Sequence, residues 1–332
     1  MSILYNFTFD PDRKNLYTIY KDLSHLKKKR FAKKSYFTNL MYKKSAGNID
    51  DYVDKKTYDR IKYNYYRLDK KHPVLEEKII FQKHLQKHNI RGTVVLAELI
   101  YGKLLLDGEE YINEEEIISK LMKLAYLHNS IFIKPTDGQG GAGALKVNKG
   151  DRINIKSFFD SKKYIVEKTL VQHEELNKVF PHSMNTLRVI TFRINDKIVI
   201  PNCIFRMGTG NSYVDNASSG GIFAAYDIAS NKLGSTSYQF FKNGAKSYKK
   251  HPVSNFVFKD APLPFNKETI ELVTTAAESF KKIESIGWDI GFTEDGPVII
   301  EGNDKPHIVM MQITSLGLLN NDVYKEVFKE YL

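Results

Sequence analysis

Apolar and polar residues follow helical spacing in parts of the chain and strand alternation in others. The helical pattern predicts helices over residues 74–88, 114–127 and 267–286. Short apolar or alternating runs predict strands, which lie at residues 93–96, 131–134, 144–147, 164–167, 187–193 and 197–206. A final hairpin is predicted from strands at 288–293 and 297–301, joined through Glu294, Asp295 and Gly296.

The order of these elements predicts the fold class. Strands and helices mix along the chain without strict strand–helix–strand repeats, so we expect an α+β fold. Residues 1–75 read as helical and polar, and His72-Pro73 marks their end because the residue before a proline disfavours helix. With 332 residues, of which 42% are hydrophobic, the chain can bury the cores of two or three subdomains.

Positive charge is concentrated in the first quarter of the chain. Residues 1–75 contain 18 Lys and Arg against 8 Asp and Glu, which accounts for +10 of the total net charge of +11. The densest part comprises Lys27, Lys28, Lys29, Arg30, Lys33 and Lys34. Such a segment can attract an anionic membrane surface, a phosphorylated substrate or nucleic acid, or it can be a solvated helical face. No nucleic-acid-binding motif accompanies it, so nucleic acid is the less favoured partner.

Cys203 is the only cysteine, which excludes an internal disulfide and a thiolate cluster for zinc. No run approaches the roughly 18 apolar residues that a membrane span needs. The first residues also lack the basic leader and apolar stretch of a signal peptide. We therefore expect a cytoplasmic protein, with peripheral membrane association if the basic segment binds lipid.

A lysine and a glycine-rich loop follow the strand at 131–134. Lys134 ends the strand, and the loop contains Gly138, Gly140, Gly141 and Gly143. Glycines let backbone N–H groups approach phosphate oxygens, and the lysine adds a fixed positive charge. The loop has neither the Gly-Lys-Ser/Thr of a Walker A motif nor the following helix of a Rossmann fingerprint. Taken alone, it fits either phosphate binding or a plain hairpin connection.

Oxygen-bearing side chains cluster on the C-terminal hairpin. Asp289 and Glu301 lie on its two strands, so their carboxylates can face each other, and Asn303 points to the same face as Glu301. Carboxylate and amide oxygens suit Mg²⁺. The alternative is a pair of solvated hairpin charges, but apolar residues flank each acid and would make an unpaired carboxylate costly.

A third signal is the strand at 164–167 with the residues after it. A strand that ends in a short extended segment can offer backbone N–H and C=O groups to an adenine edge. Glu174, seven residues after Glu167, could then bind ribose hydroxyls. In isolation this pattern has little specificity.

Together, the three signals occur in the order found in the ATP-grasp superfamily. Over roughly residues 80–315 the chain resembles the ATP-grasp branch associated with sugar transfer in bacterial polysaccharide clusters. The motifs that carry the resemblance are Lys134-Pro135 with its glycine loop, residues 182–189 (HSMNTLRV), Val214-Asp215-Asn216 with Gly220-Gly221, and residues 287–303. The first 75 residues match no family.

The resemblance implies a fold in which two α/β subdomains grip ATP, preceded by a helical basic region. It implies a division into 1–75, an N-terminal subdomain 76–128, a lid subdomain 129–175 with the glycine loop, and a C-terminal subdomain 176–332 with the metal site. The implied cofactors are ATP and Mg²⁺, which Mn²⁺ can replace.

The resemblance also implies a role for each matched residue. Nucleotide contacts fall on Lys134, Gly140, Gly141, Gly143, Glu167, Lys168, Leu170 and Glu174. The metal ligands are Asp289, Glu301 and Asn303. Arg188 and Arg206 are expected to face the cleft, where one steadies an acyl phosphate, and the acceptor is bordered by Asn216, Ser219 and Gly220. A further nucleotide-contacting lysine is expected upstream, and Lys103 is the candidate.

The implied activity is ATP-dependent, ADP-forming joining of a carboxylate to an amine through an acyl phosphate. The partners would be a small-molecule or sugar-linked carboxylate and an amine, on a sugar nucleotide or a capsule or polysaccharide precursor. Two alternatives stay open, namely a ligase for a small amino acid or peptide and a nucleotide-binding module without catalysis. A basic nucleic-acid-binding protein is a third and would show no ATP turnover.

Overall fold

The computed structural model describes residues 7–66, 72–137, 143–154, 162–210, 217 and 220–332. The chain divides into two compact units. Unit 1 comprises Met1–Lys71, Gln172–Pro297 and Asn303–Leu332, and unit 2 comprises His72–Val171 and Val298–Gly302. Each unit therefore combines segments that are distant in sequence.

The helices are α1 (Leu16–Lys28), α2 (Lys33–Thr38), α3 (Lys55–Asn64), α4 (Pro73–Glu76), α5 (Lys78–Lys87), α6 (Glu114–Leu127), α7 (Glu174–Asn177), α8 (Asn266–Ser279), α9 (Ile308–Thr314) and α10 (Asp322–Phe328). The strands are β1 (Val95–Ile100), β2 (Lys103–Leu106), β3 (Glu109–Tyr111), β4 (Ser130–Pro135), β5 (Leu145–Asn148), β6 (Lys163–Lys168), β7 (Thr186–Ile194), β8 (Lys197–Met207), β9 (Ile222–Asp227), β10 (Lys232–Tyr238), β11 (Ser247–Tyr248), β12 (Ser285–Thr293) and β13 (Gly296–Asn303).

Unit 2 is built on a six-stranded sheet with the order β3-β2-β1-β6-β4-β5, in which all neighbours are antiparallel. Helix α6 supplies the other layer of its core through Ile117, Leu121 and Leu124. Asn113 caps this helix by accepting hydrogen bonds from two backbone N–H groups of the first turn. Three glutamates follow the cap, where negative charge favours a helix start.

Unit 1 contains the sheet strands β7 to β12 in the order β11-β10-β9-β8-β7-β12, whereas most of β13 belongs to unit 2. Strands β7, β8 and β12 are the buried centre of unit 1, since Val189, Phe205 and Trp288 are fully or almost fully shielded from solvent. The Trp288 indole donates a hydrogen bond to Thr191 Oγ1 over 2.9 Å, which satisfies its buried N–H.

The described part of the first 71 residues belongs to the core of unit 1. Apolar side chains of this segment, such as Tyr36, Met41 and Ile61, lie in one buried cluster with Phe192 and Phe328. The polar surface seen in the sequence therefore covers only the outer side of helices α1 to α3. The N-terminal segment is helical, as expected, and is packed against the C-terminal part of the chain rather than exposed on both sides.

The antiparallel sheets and flanking helices confirm the α+β class. The prediction of a helix over residues 267–286 is wrong at the C-terminal end, because α8 stops at Ser279 and strand β12 begins at Ser285. Ser285 and Ile286 pair with Phe192 and Thr191 of strand β7. Pairing with a neighbouring strand thus overrides local helical spacing.

The expected boundaries after residues 75 and 175 lie within five residues of the unit boundaries after Lys71 and Val171. The expected segments 76–128 and 129–175 share one sheet, since β1 pairs with β6. Among the described residues, no helix is both long and apolar enough to cross a bilayer.

One buried glutamine joins the N-terminal segment to helix α9. Gln312 Oε1 accepts a hydrogen bond from Val53 N over 2.6 Å, and its Nε2 donates to Val53 O (3.0 Å) and Asn39 Oδ1 (3.2 Å). Replacing Gln312 with Met keeps the volume but leaves buried backbone groups unpaired. We expect the free energy of unfolding in urea to fall by about 2–4 kcal/mol. The exposed Gln86→Met is the matched control, with a change of about 0.5 kcal/mol or less. Equal losses in the two variants would refute a structural role for the N-terminal segment.

Candidate nucleotide and substrate site

Lys134 and Glu167 form a buried ion pair in unit 2. They lie on the neighbouring strands β4 and β6, where Lys134 pairs with Ile165 and Glu167 with Phe132. Lys134 Nζ is 2.5 Å from Glu167 Oε2, and Thr93 Oγ1 donates to Glu167 Oε1 over 2.5 Å. Both carboxylate oxygens are therefore occupied, as a buried charge requires. Glu167 holds the Lys134 ammonium in place at the end of its strand.

A second lysine, Lys78, stands close to this pair. It is the first residue of helix α5, and its Nζ donates to Thr136 O over 3.4 Å and lies 3.7 Å from Glu301 Oε1. Burial is the main cause that lowers the pKa of Lys78, Glu301 acts in the opposite direction, and the charge of Lys134 lowers it further. Two ammonium groups and the Glu301 carboxylate thus share one region of unit 2.

The sequence pattern missed Lys78, because a lysine at a helix start is an ordinary surface residue. The one available signal was its place next to the apolar stretch Ile79–Ile80. Lys103, the candidate from the sequence, lies on the exposed β2–β3 hairpin and pairs with Glu110 at 2.9 Å. The structure brings Lys78 next to Lys134 and leaves Lys103 on the hairpin.

Strand β6 ends at Lys168, and residues 169–173 after it belong to no helix or strand. Lys168 N donates to Val94 O over 2.9 Å, which ties the strand end to the start of β1. Leu170 is half-buried. Glu174 belongs to unit 1, where it is exposed in the first turn of α7 and its backbone N–H donates to Glu294 Oε1 over 2.7 Å.

Unit 1 contains a second buried carboxylate, Asp289, which two arginines bind. Strand register places Asp289 opposite Arg188. Arg188 donates from Nε and Nη2 to the two carboxylate oxygens, the latter over 2.9 Å, and Arg206 Nη2 lies 3.2 Å from Asp289 Oδ2. Arg206 also donates to Thr186 Oγ1 over 2.7 and 2.9 Å. Burial would raise the pKa of Asp289, but the two arginines hold it below its ordinary value. Asp289 is therefore ionised at neutral pH.

The other two expected metal ligands occupy different units. Asn303, in unit 1, donates its Nδ2 to Gly287 O over 3.4 Å. Glu301, in unit 2, neighbours Lys78. Among the described residues, no group of three His, Cys, Asp or Glu side chains could hold a metal by itself. Carboxylate and amide oxygens are suitable ligands for Mg²⁺, although both oxygens of Asp289 accept hydrogen bonds from Arg188 in this structure.

Several expected contacts fall outside the residues that the structure describes. These are Gly140, Gly141, Asn216 and Ser219. Gly143 has a φ of +74°, and an added Cβ would lie 3.1 Å from Pro135 Cγ, so a larger residue is disfavoured at this position.

The expected acceptor loop is described at Ala217 and Gly220. Gly220 has a φ of +107°. Its carbonyl oxygen accepts hydrogen bonds from Thr209 Oγ1 (3.0 Å) and Gln239 Nε2 (2.9 Å). The described end of this loop is thus tied to neighbouring parts of unit 1.

No curated protein sequence matches the chain. Solved structures with some likeness include D-alanyl-alanine synthetase A from Vibrio cholerae, with a TM-score of 0.48 and 15% identity over 78% of this chain and 66% of that one. A carboxyaminoimidazole ribonucleotide synthase from Aspergillus clavatus in complex with ATP has a TM-score of 0.42 and 17% identity over 70% and 46%. An L-amino acid ligase from Bacillus licheniformis has a TM-score of 0.42 and 13% identity over 76% and 50%. The chain covers less than two thirds of the length of each of these proteins.

A family model gives a more specific result. The model of sugar-transfer associated ATP-grasp proteins matches residues 157–325. This stretch is just over half of the 332 residues and contains Glu167, Arg188, Arg206, Asp289, Glu301 and Asn303. The chain therefore belongs to the sugar-transfer associated ATP-grasp family.

Proposed function

We propose that the protein is an ATP-dependent carboxylate–amine ligase that forms ADP through an acyl phosphate. The observation that carries the proposal is the buried Lys134–Glu167 pair, in a chain of the ATP-grasp family. The pair lies near the ends of strands β4 and β6, which precede the glycine loop and the proposed adenine-contact residues Lys168 and Leu170. A carboxylate is a poor electrophile, and phosphorylation supplies the leaving group that an amine can displace.

The residues of unit 2 supply charge for the nucleotide. Lys134 is positioned by Glu167, and Lys78 lies beside it, so two ammonium groups are available for phosphate oxygens. Positioned cations are the main contribution a protein makes to phosphoryl transfer. Gly140, Gly141 and Gly143 are proposed to cover the phosphates and exclude water, which would hydrolyse the acyl phosphate. Lys168, Leu170 and Glu174 are proposed to contact the nucleoside, through the adenine edge and the ribose.

Asp289, Glu301 and Asn303 are proposed to hold Mg²⁺, which neutralises phosphate charge when bound. Arg188 is bound to Asp289 by two hydrogen bonds, so its guanidinium is fixed in orientation. We assign to Arg188 or Arg206 the contact with the acyl phosphate, and to Asn216, Ser219 and Gly220 the border of the acceptor. Family membership favours a substrate carried on a sugar or on a polysaccharide or capsule precursor.

Cleavage should fall between the β- and γ-phosphates. With a panel of sugar acids crossed with amines, we expect ADP and phosphate as products, and hydroxylamine should trap the acyl phosphate as a hydroxamate when the amine is omitted. Lys134→Ala should lower hydroxamate formation by about 100-fold or more, since the triphosphate loses a positioned cation. Lys103→Ala, on the exposed hairpin, is the control and should retain wild-type activity.

Two results would overturn the proposal. Formation of AMP and pyrophosphate would indicate an adenylating enzyme. ATP binding without turnover of any acid and amine in the panel would indicate a nucleotide-binding module without catalysis.

The metal assignment is best tested at Glu301. Asp289→Asn is unsuitable, because it would also leave two buried arginines under-neutralised. Glu301 is partly exposed, and Glu301→Gln should raise the Mg²⁺ concentration for half-maximal ADP formation by about tenfold or more, because a neutral amide is a weaker ligand. The exposed Glu268→Gln serves as control. An unchanged Mg²⁺ requirement for Glu301→Gln would remove this residue from the metal site.

We further propose that helix α1 docks on an anionic membrane surface. Its inner face buries Ile19 and Leu26. By helical spacing, the outer face presents Leu16, Tyr17 and Tyr20, which are 64%, 66% and 69% exposed, together with Lys21, Lys27 and Lys28. Exposed aromatic and aliphatic residues among lysines are typical of helices that lie at a lipid interface.

The acids of the segment do not neutralise this outer face. Asp22 accepts hydrogen bonds from Lys14 and Tyr36, each over 2.9 Å, and Asp50 is paired with Lys29 and His25. Within the described parts of the chain, no acidic side chain forms an ion pair with Lys27, Lys28, Arg30, Lys33 or Lys34. Leu16 favours lipid over nucleic acid, because an aliphatic side chain gains from the acyl region.

Binding to vesicles tests this surface. Replacing Lys27, Lys28, Lys33 and Lys34 with Gln should lower partition onto phosphatidylserine vesicles by on the order of 1000-fold, since each cation near an anionic surface is worth about 1 kcal/mol. The control changes four exposed lysines of unit 1 to Gln, namely Lys259, Lys267, Lys281 and Lys282. Tyr17→Ser with Tyr20→Ser should weaken binding at constant charge. Wild-type binding to DNA but not to vesicles would identify nucleic acid as the partner instead.

A further inference from the structure

We infer that unit 1 carries an anion subsite around His307, formed with Lys62 and Lys242, which selects a substrate bearing a phosphate or a second carboxylate. The inference rests on the proposed ligase function and narrows its substrate class. Lys62 comes from the N-terminal segment, Lys242 from the middle of the chain and His307 from the stretch before helix α9. None of the three is part of the nucleotide or metal sets described above.

Helix α3 places Lys62 close to His307. Tyr58 Oη donates a hydrogen bond to the carbonyl oxygen of Pro306, the residue before His307. Lys62 is one turn further along the same helix, and its Nζ is 5.4 Å from the centre of the Tyr58 ring. The Tyr58 contact therefore fixes the side of the helix that carries Lys62 next to residues 306–307.

Arg188 approaches the same residues from strand β7. Gly287 lies between them, since a Cβ at this position would be 3.0 Å from Pro306 Cβ and 3.5 Å from Arg188 Cδ. The absence of a side chain at Gly287 lets Arg188 and Pro306 pack over the same strand. The arginine assigned to the acyl phosphate is thus a neighbour of the His307 segment.

Lys242 belongs to the turn Phe241–Asn243, which contacts the proposed acceptor loop. Asn243 Nδ2 donates to Ala217 O over 2.7 Å. Lys242 itself is exposed. The turn therefore presents an exposed cation next to Ala217.

The electrostatics of His307 agree with this geometry. The residue keeps solvent access. Burial among neighbouring groups is the largest cause that lowers the pKa of His307, and the charges of Lys62, Arg188 and Lys242 lower it further. The imidazole is therefore neutral at pH 7 and can donate or accept a hydrogen bond in a positive field.

The acidic side chains near these cations do not neutralise all of their positive charge. Asp289 is shared by Arg188 and Arg206, and Asp59 is shared by Lys55 and Lys62. Asp304 is paired with Lys305. In the described part of the chain, no acidic side chain forms an ion pair with Lys242. A ligand with a phosphate or carboxylate group would supply the missing negative charge.

The test uses inorganic phosphate and succinate as probes, titrated calorimetrically into the full-length protein. The nucleotide site is first filled with Mg²⁺ and a non-hydrolysable ATP analogue, so that phosphate does not bind there. Lys62→Gln with Lys242→Gln should weaken phosphate or succinate binding by about tenfold or more. The control, Lys267→Gln with Lys325→Gln, removes two exposed lysines of unit 1 that pair only with surface acids.

Preference for phosphate or for succinate assigns the ligand group. Equal affinity of the wild type and the Lys62/Lys242 variant for both probes, or no wild-type binding of either, overturns the subsite. Affinity for the ATP analogue is measured separately and should be unchanged in the variant, because neither lysine belongs to the proposed nucleotide site. If the wild type forms no ADP with any acid and amine of the panel, the ligase reaction is refuted. If phosphate binding nevertheless depends on Lys62 and Lys242, the anion subsite is supported independently of that reaction.

Discussion

Glu167 and Asp289 are carboxylates buried at the centres of separate sheets, and the arrangement of both sites depends on keeping these charges paired. An unpaired buried carboxylate costs several kcal/mol. Strand register places Lys134 close to Glu167 and places Arg188 opposite Asp289. The same register that stabilises each sheet therefore fixes the positions of these cations.

The two buried carboxylates differ in how much positive charge remains beside them. Glu167 is saturated by Lys134 and Thr93, so its carboxylate acts as a positioning group for the lysine. Asp289 is shared by two arginines, which leaves one positive charge in excess of the carboxylate. This excess suits a site that receives an anion. It also explains why a conservative change at Asp289 would disturb more than metal binding.

The N-terminal segment carries residues of both the proposed anion subsite and the proposed membrane surface. Its inner side is held in the core of unit 1, through Gln312 and through the aromatic residues that pack on Phe192 and Phe328. Helix α3 presents Lys62 next to the His307 segment, while the outer side of α1 presents Tyr17, Tyr20 and lysines to solvent. The proposed anion subsite and the proposed membrane surface therefore use opposite sides of one segment that is held in the core of unit 1.

The sequence alone determined the α+β class, most strands, and the order of the glycine loop, the segment after β6 and the C-terminal hairpin. These features could be predicted because alternation and turn residues are local signals. Helix α6 was predicted to the residue, whereas the end of α8 was not, since strand pairing with β7 overrides helical spacing there. The sequence also singled out Lys134 and Asp289 by residue type and spacing, and Arg188 through the resemblance to the family.

Only the tertiary structure decided which charges meet. It placed Lys78 beside Lys134, bound both arginines to Asp289, and brought Lys62 from the N-terminal segment to His307 near the other end of the chain. These contacts join residues far apart in sequence, and no local pattern encodes them. They follow from the way the strands and helices pack, because burial removes the water that would otherwise solvate each charge and so requires a charged or hydrogen-bonding partner for it.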